Sequence, residues 1–358
     1  MASVSMPCPR TPEEPALKVM DADGDLLLKV GTTKCTTSPA FSGGPHLHDV
    51  VFTFQVCSRT LARSSPVWKA MLFGGFAESK PKEGDWIVSL PDDSPEAMST
   101  LLGIIHAKFE GVPLLNHLIT SHDLFNLTVL TDKYDLTHIL RPWARTWLDC
   151  VWDSGMCGFK HHLELLWITW ELGDQERFTS TASYLAQNMK NKTALECALT
   201  PPEVTETILE LHYAAIDSLV RPFEGLMHCL SCETTGFSFF GQNAHPCRVG
   251  SHHQMNQTGM DSKSDQCNLI TLGYFTRSFR KTGLHQGPPS PHSVSKIAAD
   301  LQDIVSNVPH LEGHKNCCSI KHAAAKVAAV AEEVAFTPTK LHIEHLQAQA
   351  IKSGLTRQ

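Results

Sequence analysis

Residues 54–72, with the sequence FQVCSRTLARSSPVWKAML, predict the end of a strand followed by two short helices. The apolar positions between residues 50 and 56 are typical of a strand. Ser58 is placed where it can cap the first helix. Ser65 directly before Pro66 is the usual order of an N-cap and a proline at the first helical position. This stretch therefore predicts a strand that leads into a helical hairpin.

Short apolar runs on both sides of this stretch predict a small sheet. The run 26–30 lies between a turn and Gly31, and it predicts a strand antiparallel to 50–56. The run 86–90 predicts a third strand. No Gly-rich phosphate loop follows any of these strands, and they are too few for a doubly wound sheet.

Helix starts follow in the second half of this region. Ser94-Pro95 predicts another capped helix start, with acidic neighbours that suit the positive end of a helix dipole. Thr120 to Asp123 predicts a capping box for the next helix. A further helix is predicted from about Thr137 through Trp147. Strands interleaved with short helices, and then a pair of helices, indicate an α+β domain.

In this order and spacing, the residues resemble the BTB/POZ family. The resemblance rests on the opening strand 25–31, the stretch 54–72 and the helical segment 130–136, and it covers about 125 residues, from 23 to 148. The stretches 71–79 and 143–147 are most similar to fungal BTB-domain proteins. The signature residues are Asp25, Val56, Cys57, Leu61, Ser64, Ser65, Pro66, Trp68 and Tyr134.

The resemblance implies a BTB/POZ domain over residues 20–150, used to form a homodimer and to bind protein partners. Two roles stay open: a substrate adaptor of a cullin ubiquitin ligase, and a scaffold or transcription-associated factor. Cys57 stands where many family members carry His, and Ser58 where some repressors carry a basic residue. A repressor-type pocket facing Asp25 is therefore not expected.

The rest of the chain predicts an all-α region without a familiar substrate-binding domain. Apolar residues at three- and four-residue spacing predict a helical extension over 151–228. A tract rich in Gly, Ser, Asn and His predicts a Cys/His-containing and partly disordered insert over 229–292. Apolar periodicity and alanine-rich sequence predict C-terminal helices over 293–358. Residues 1–19 are predicted to be a flexible N-terminus.

One group of residues outside the BTB-like region has the chemistry of a metal site. Cys229 and Cys232 have the spacing of a zinc-chelating pair, and His245 and Cys247 are candidates for the remaining ligands. The second half of this pattern fits no standard finger. Cysteines without a metal are the preferred interpretation, so no cofactor is predicted. A zinc-stabilised transcription- or chromatin-associated factor is the alternative function.

Composition limits the class of protein. The net charge is −7, with 30 basic and 37 acidic residues, so direct nucleic-acid binding is not expected. No apolar run is long enough to cross a membrane, and residues 1–18 lack the apolar core of a secretory signal. The twelve cysteines are then expected to be reduced in an intracellular protein of the cytoplasm or nucleus. No catalytic motif is found, so a non-enzyme is predicted.

Overall fold

The structure, a computed structural model, describes the chain in segments that divide between two compact units. Unit 1 contains residues 1–156, 167–175 and 341–358, and unit 2 contains residues 157–166 and 176–340. The described residues are 17–31, 51–113, 119–155, 158–190, 192–232, 237–239, 242–244, 263–284, 292–309 and 323–356.

Strands and helices alternate at first, and helices follow. The described strands are β1 Leu17–Val19, β2 Leu26–Val30, β3 Phe52–Val56, β4 Ile87–Leu90, β5 Phe237–Phe239 and β6 Gln242–Ala244. The described α-helices are α1 Ser58–Ser64, α2 Pro66–Phe73, α3 Pro95–Ile105, α4 Ser121–Lys133, α5 Ala144–Asp153, α6 Phe159–Leu172, α7 Gln175–Asn188, α8 Lys192–Glu196, α9 Val204–Cys232, α10 Lys263–Thr282, α11 Val294–Ser306, α12 Ala323–Glu332 and α13 Lys340–Ser353. The chain is thus mixed α+β, as predicted, with a small sheet near its N-terminus. Within the described residues, no helix is both long and apolar enough to cross a membrane.

Unit 1 contains a four-stranded mixed sheet in the order β1-β3-β2-β4. β2 and β3 pair antiparallel, as predicted, whereas β1 pairs parallel to β3 and β4 parallel to β2. Successive residues of a strand point to opposite faces of a sheet, and one of the two faces is buried. Its buried apolar residues are Leu26, Leu28, Val30, Phe54, Val56, Val88 and Leu90.

Local capping chemistry places the helices of unit 1. The Ser65 side chain accepts the Trp68 backbone N–H, with Pro66 at the first position of α2. Ser94 caps α3 in the same way, accepting the backbone N–H of Ala97. Thr120 and Asp123 form the predicted capping box at the start of α4. These three predictions are confirmed.

Four elements differ from the sequence-based expectations. Leu17–Val19 forms strand β1, paired in parallel to β3, although this range was predicted to be flexible. A strand of three residues is too short to show an apolar pattern in the sequence. Ser58 does not cap α1; Cys57 is the N-cap residue, and the Ser58 side chain binds Asp25 instead. The helix predicted from Thr137 is a 3-10 helix, Thr137–Leu140, and α5 begins only at Ala144. The predicted insert 229–292 contains the end of α9, the β5-β6 hairpin and the helix α10.

The C-terminal helix α13 belongs largely to unit 1. The Ser353 hydroxyl donates to the Leu172 carbonyl at 2.6 Å. Arg141 donates to the Ile351 carbonyl, and Arg145 to the Leu355 carbonyl, both at 2.8 Å. A Cβ added to Gly173 would stand 2.2 Å from the Ala350 backbone nitrogen, so only glycine permits this close approach.

Unit 2 contains helices packed through aromatic residues. The Phe223 ring of α9 lies 5.8 Å from Phe275 and 5.9 Å from Phe279 of α10, measured between ring centroids. Phe178 of α7 meets Phe336 edge to face at 5.8 Å. All five rings lie in residues that are fully or nearly fully buried. Aromatic burial of this kind is the main source of packing energy in a helical unit.

Candidate interaction surface and its buried supports

The first predicted signature residue, Asp25, joins the start of the sheet to the start of α1. Its carboxylate accepts the Ser58 backbone N–H and the Ser58 hydroxyl, both at 2.9 Å. Burial alone would raise the pKa of Asp25, but the two Ser58 hydrogen bonds, aided by Lys80, hold it below its usual value. This carboxylate therefore fixes α1 against β2.

Cys57 is tied to the end of α3 through its backbone. Its N–H donates to His106 Nε2 at 3.2 Å, and His106 Nδ1 lies 3.1 Å from the Leu102 carbonyl. These contacts require a neutral ring with its proton on Nδ1. Burial lowers the pKa of His106, which favours this neutral form. The Cys57 side chain is half-buried.

Ser65, Trp68 and Tyr134 form a second junction, between α2 and the end of α4. The Ser65 hydroxyl donates to the Tyr134 carbonyl at 2.6 Å while it accepts the Trp68 N–H at 3.0 Å. The Trp68 and Tyr134 rings stack with centroids 4.4 Å apart. All three residues are buried. The remaining signature residues support the same region: Val56 and Leu61 are fully buried, Ser64 donates to the Leu61 carbonyl, and Pro66 opens α2.

Asp93 completes this junction, and sequence reasoning did not select it as a site residue. Its carboxylate is buried and lies 2.5 Å from both Lys133 Nζ and the Tyr134 hydroxyl. Burial, and then the Asp93 charge, raise the pKa of Tyr134, so its hydroxyl remains a donor. The sequence signal was present in Asp92-Asp93-Ser94-Pro95, but it indicated only a helix start.

These supports hold an exposed apolar surface at the end of α2. Phe73 is 51% exposed and Phe76 is 61% exposed. The Phe73 ring contacts Trp86 edge to face with centroids 5.9 Å apart, and the Phe76 ring lies over Gly74. Phe73 and Phe76 are called the α2 aromatic patch below. Large apolar side chains kept exposed beside a rigid core are typical of a protein interaction surface.

The open face of the sheet adds a second apolar surface. Register places Val19, Gln55, Leu27 and Ile87 side by side across the four strands. Val19 is 40% exposed and Ile87 is 44% exposed. Paired residues share a face of the sheet, so this row is largely apolar.

The structure places the proposed zinc ligands in different settings. Cys229 and Cys232 lie in the last turns of α9, and Cys229 is buried. His245 and Cys247 lie outside the described residues. Among the residues that are described, no group of three or more His, Cys, Asp or Glu side chains is arranged to hold a metal ion.

A second buried carboxyl group, Glu171, was also missed by sequence reasoning. Its Oε1 accepts the Thr131 hydroxyl at 3.2 Å and the Thr137 hydroxyl at 2.5 Å. Its Oε2 accepts the Gln349 side-chain amide at 2.7 Å. The pKa of Glu171 is raised to about 8, mainly by burial and in part by Asp132, against the lowering effect of the two hydroxyls and Lys352. Glu171 thus connects α4 and α13, and its protonation is set near neutral pH.

Comparison with known proteins gives no family. Neither a protein-family model nor a curated protein matches this chain.

Proposed function

We propose that residues 20–150 are a BTB/POZ-type interaction domain through which this protein dimerises and recruits protein partners. The observation that carries this proposal is the meeting of signature residues that are far apart in sequence. Asp25 binds Ser58, and both Ser65 and Trp68 contact Tyr134. These two junctions bridge 33 and 69 positions of the sequence, and such long-range contacts of predicted signature residues support the proposal.

The α2 aromatic patch is the surface proposed to bind a partner. Phe73 and Phe76 are exposed. The Ser65–Tyr134 hydrogen bond and the Trp68–Tyr134 stack fix α2 against the end of α4. A preorganised surface loses little conformational entropy on binding, so two exposed rings can act as anchors. A non-enzymatic role and a zinc-free chain remain predictions.

Two roles of such a domain differ in the partner recruited. As an adaptor, the domain binds a cullin and the helical region binds a substrate. As a scaffold, it dimerises and recruits other proteins without a cullin. We favour neither, and the test below separates them.

The experiment combines light scattering with a binding assay on the full chain. Light scattering after size exclusion at micromolar concentration is expected to give a dimer. Immobilised protein is then mixed with purified cullins, comparing wild type with F73S/F76S and with the control L199S. Leu199 is 44% exposed and lies in unit 2, so it matches the chemistry of the change without touching the patch.

Each outcome bears on the proposal. Cullin binding that falls at least about tenfold in F73S/F76S, but not in L199S, supports the adaptor role. A dimer that retains no cullin supports the scaffold role. A strict monomer that retains no cullin contradicts the proposed function.

A further inference from the structure

Helix α10 of unit 2 has one buried face and one exposed face. Its buried residues are Cys267, Thr271, Phe275 and Phe279, spaced four residues apart. Phe275 and Phe279 pack on Phe223 of α9. The hydrophobic face that stabilises α10 is therefore already used inside unit 2.

The opposite, exposed face of α10 carries both apolar and basic residues. Leu269 is 61% exposed and Ile270 is 38% exposed, and both lie in the first half of the helix. An open groove of about 490 Å³ runs along this face. The described residues that line it are Leu269, Leu272, Gly273, Thr276, Arg277 and Arg280. These positions, with Ile270, are called the α10 stripe.

Gly273 creates a depression in the middle of the α10 stripe. A Cβ added at Gly273 would meet no atom within 4 Å, so no contact inside the described structure requires a glycine. Glycine in a helix interior costs about 1 kcal/mol relative to alanine. A residue with this cost and no internal packing role suits the close approach of another backbone from outside.

The second half of the α10 stripe is basic. Arg277 and Arg280 are exposed and line the groove. A helix C-terminus favours cations through its dipole, which accounts for part of this charge. The dipole gives no reason for the exposed Leu269 and Ile270 at the other end. Apolar and cationic contacts in one groove indicate a ligand that is apolar at one end and acidic at the other.

We propose that the α10 stripe binds a helix of a partner protein whose contacting face is apolar at one end and acidic at the other. Apolar side chains of the partner helix contact Leu269 and Ile270, its backbone passes over Gly273, and its carboxylates pair with Arg277 and Arg280. The distance from Leu269 to Arg280 corresponds to about three helical turns, so a partner segment of about 11 residues fills the stripe. This surface lies in unit 2 and does not depend on the proposed BTB/POZ-type domain.

A partner helix fits these observations better than an anionic membrane surface. A helix that binds a membrane inserts its main apolar face, but that face of α10 is buried against α9. Among the described side chains of α10, the large apolar residues that are exposed are Leu269 and Ile270. A groove centred on a glycine suits a rod-shaped ligand rather than a flat surface.

The test selects peptides against the full-length protein. A displayed library of helical peptides of about 18 residues, randomised on one face, is selected on wild-type protein and counter-selected on G273L. Leucine has a better helix propensity than glycine, and an added Cβ meets nothing, so G273L is expected to fold while it fills the groove. The affinity of selected peptides is then measured for wild type, G273L, R277E/R280E and the matched double reversal R59E/R63E in α1.

Supporting and contradicting results are distinct. The proposal is supported by enrichment of peptides that carry apolar residues at one end of the randomised face and acidic residues at the other. Their binding should weaken at least about tenfold in G273L and in R277E/R280E, but not in R59E/R63E. No enrichment, or peptides that bind G273L as well as wild type, overturns it. The proposal is also overturned if the protein binds only phosphatidylcholine vesicles with about one third phosphatidylserine. It is likewise overturned if G273L abolishes a self-association of the protein that light scattering detects.

Discussion

Unit 1 holds two buried carboxyl groups in opposite ways. Asp93 is bound by a cation, Lys133, and by the Tyr134 hydroxyl. Glu171 is bound, among the described residues, by neutral donors: two threonine hydroxyls and the Gln349 amide. The stability contributed by a carboxylate with a cation partner falls when either of the two charges is removed. The stability contributed by a buried carboxyl group that is held by neutral donors depends on pH. The two groups therefore stabilise unit 1 under different conditions.

The largest expected effect is the pH dependence due to Glu171. Its pKa rises from 4.5 to about 8 on folding, so the folded chain retains a proton that the unfolded chain releases. Its contribution to stability is complete below pH 4.5 and is lost as the pH rises to about 8. Relative to E171Q, which cannot titrate, the wild type is expected to lose about 1.4 kcal/mol of unfolding free energy per pH unit across this window.

Urea unfolding of wild type and E171Q at several pH values measures this difference. Titrating groups that do not interact with Glu171, including His106, cancel because both proteins contain them. E171Q is expected to be tolerated, because its new amide can donate to Gln349 Oε1 once the Gln349 amide group turns over. Gln349 Oε1 has no hydrogen-bond partner among the described residues of the wild type. E176Q, at an exposed position, is the control and should follow the wild type. Parallel stability curves for wild type and E171Q would contradict the prediction.

The next largest effect is expected from D93N. The amide removes the negative charge that faces Lys133 Nζ and the Tyr134 hydroxyl, both at 2.5 Å. Breaking a buried ion pair costs about 3–5 kcal/mol, and because the Lys133 side chain is 45% exposed, the lower value of about 3 kcal/mol is expected. Chemical denaturation measures the loss. D92N changes the exposed neighbour and should stay within about 0.5 kcal/mol of wild type; equal losses for the two variants would rule out a special role for Asp93.

Short sequence motifs made the helix starts of unit 1 predictable. The Ser65, Ser94 and Thr120 caps each depend on residues within four positions, so short motifs were enough. Asp93 and Glu171 depend on partners far along the chain: Tyr134 is 41 residues from Asp93, and Gln349 is 178 residues from Glu171. The periodicity of apolar residues in a sequence does not predict contacts between residues so far apart along the chain. Asp93 therefore indicated only a helix start, and Glu171 was one of several polar residues in α6.

Local patterns were also insufficient in the second half of the chain. α10 follows a tract rich in Gly, Ser, Asn and His, and that composition outweighed the four-residue spacing of Cys267, Thr271, Phe275 and Phe279. Cys229 and Cys232 have a metal-like spacing, but they also lie within one continuous helix with an apolar face. A two-residue gap between cysteines is equally compatible with helical packing. Spacing alone could not decide between these two environments.

The smallest expected effect is that of Y134F, which isolates one hydrogen bond of the Asp93 site. The phenylalanine ring keeps the stack on Trp68, and the Ser65 hydroxyl still donates to the backbone carbonyl of residue 134. Only the donor to Asp93 Oδ2 is lost, at a cost of about 1–2 kcal/mol. Y184F, which leaves the ring stacked on His162, is the control and should change stability by less than about 0.5 kcal/mol. In the D93N background, Y134F should cost less than it does in the wild type, because the charged acceptor is already gone. Equal costs in both backgrounds would show that the hydroxyl stabilises unit 1 independently of Asp93.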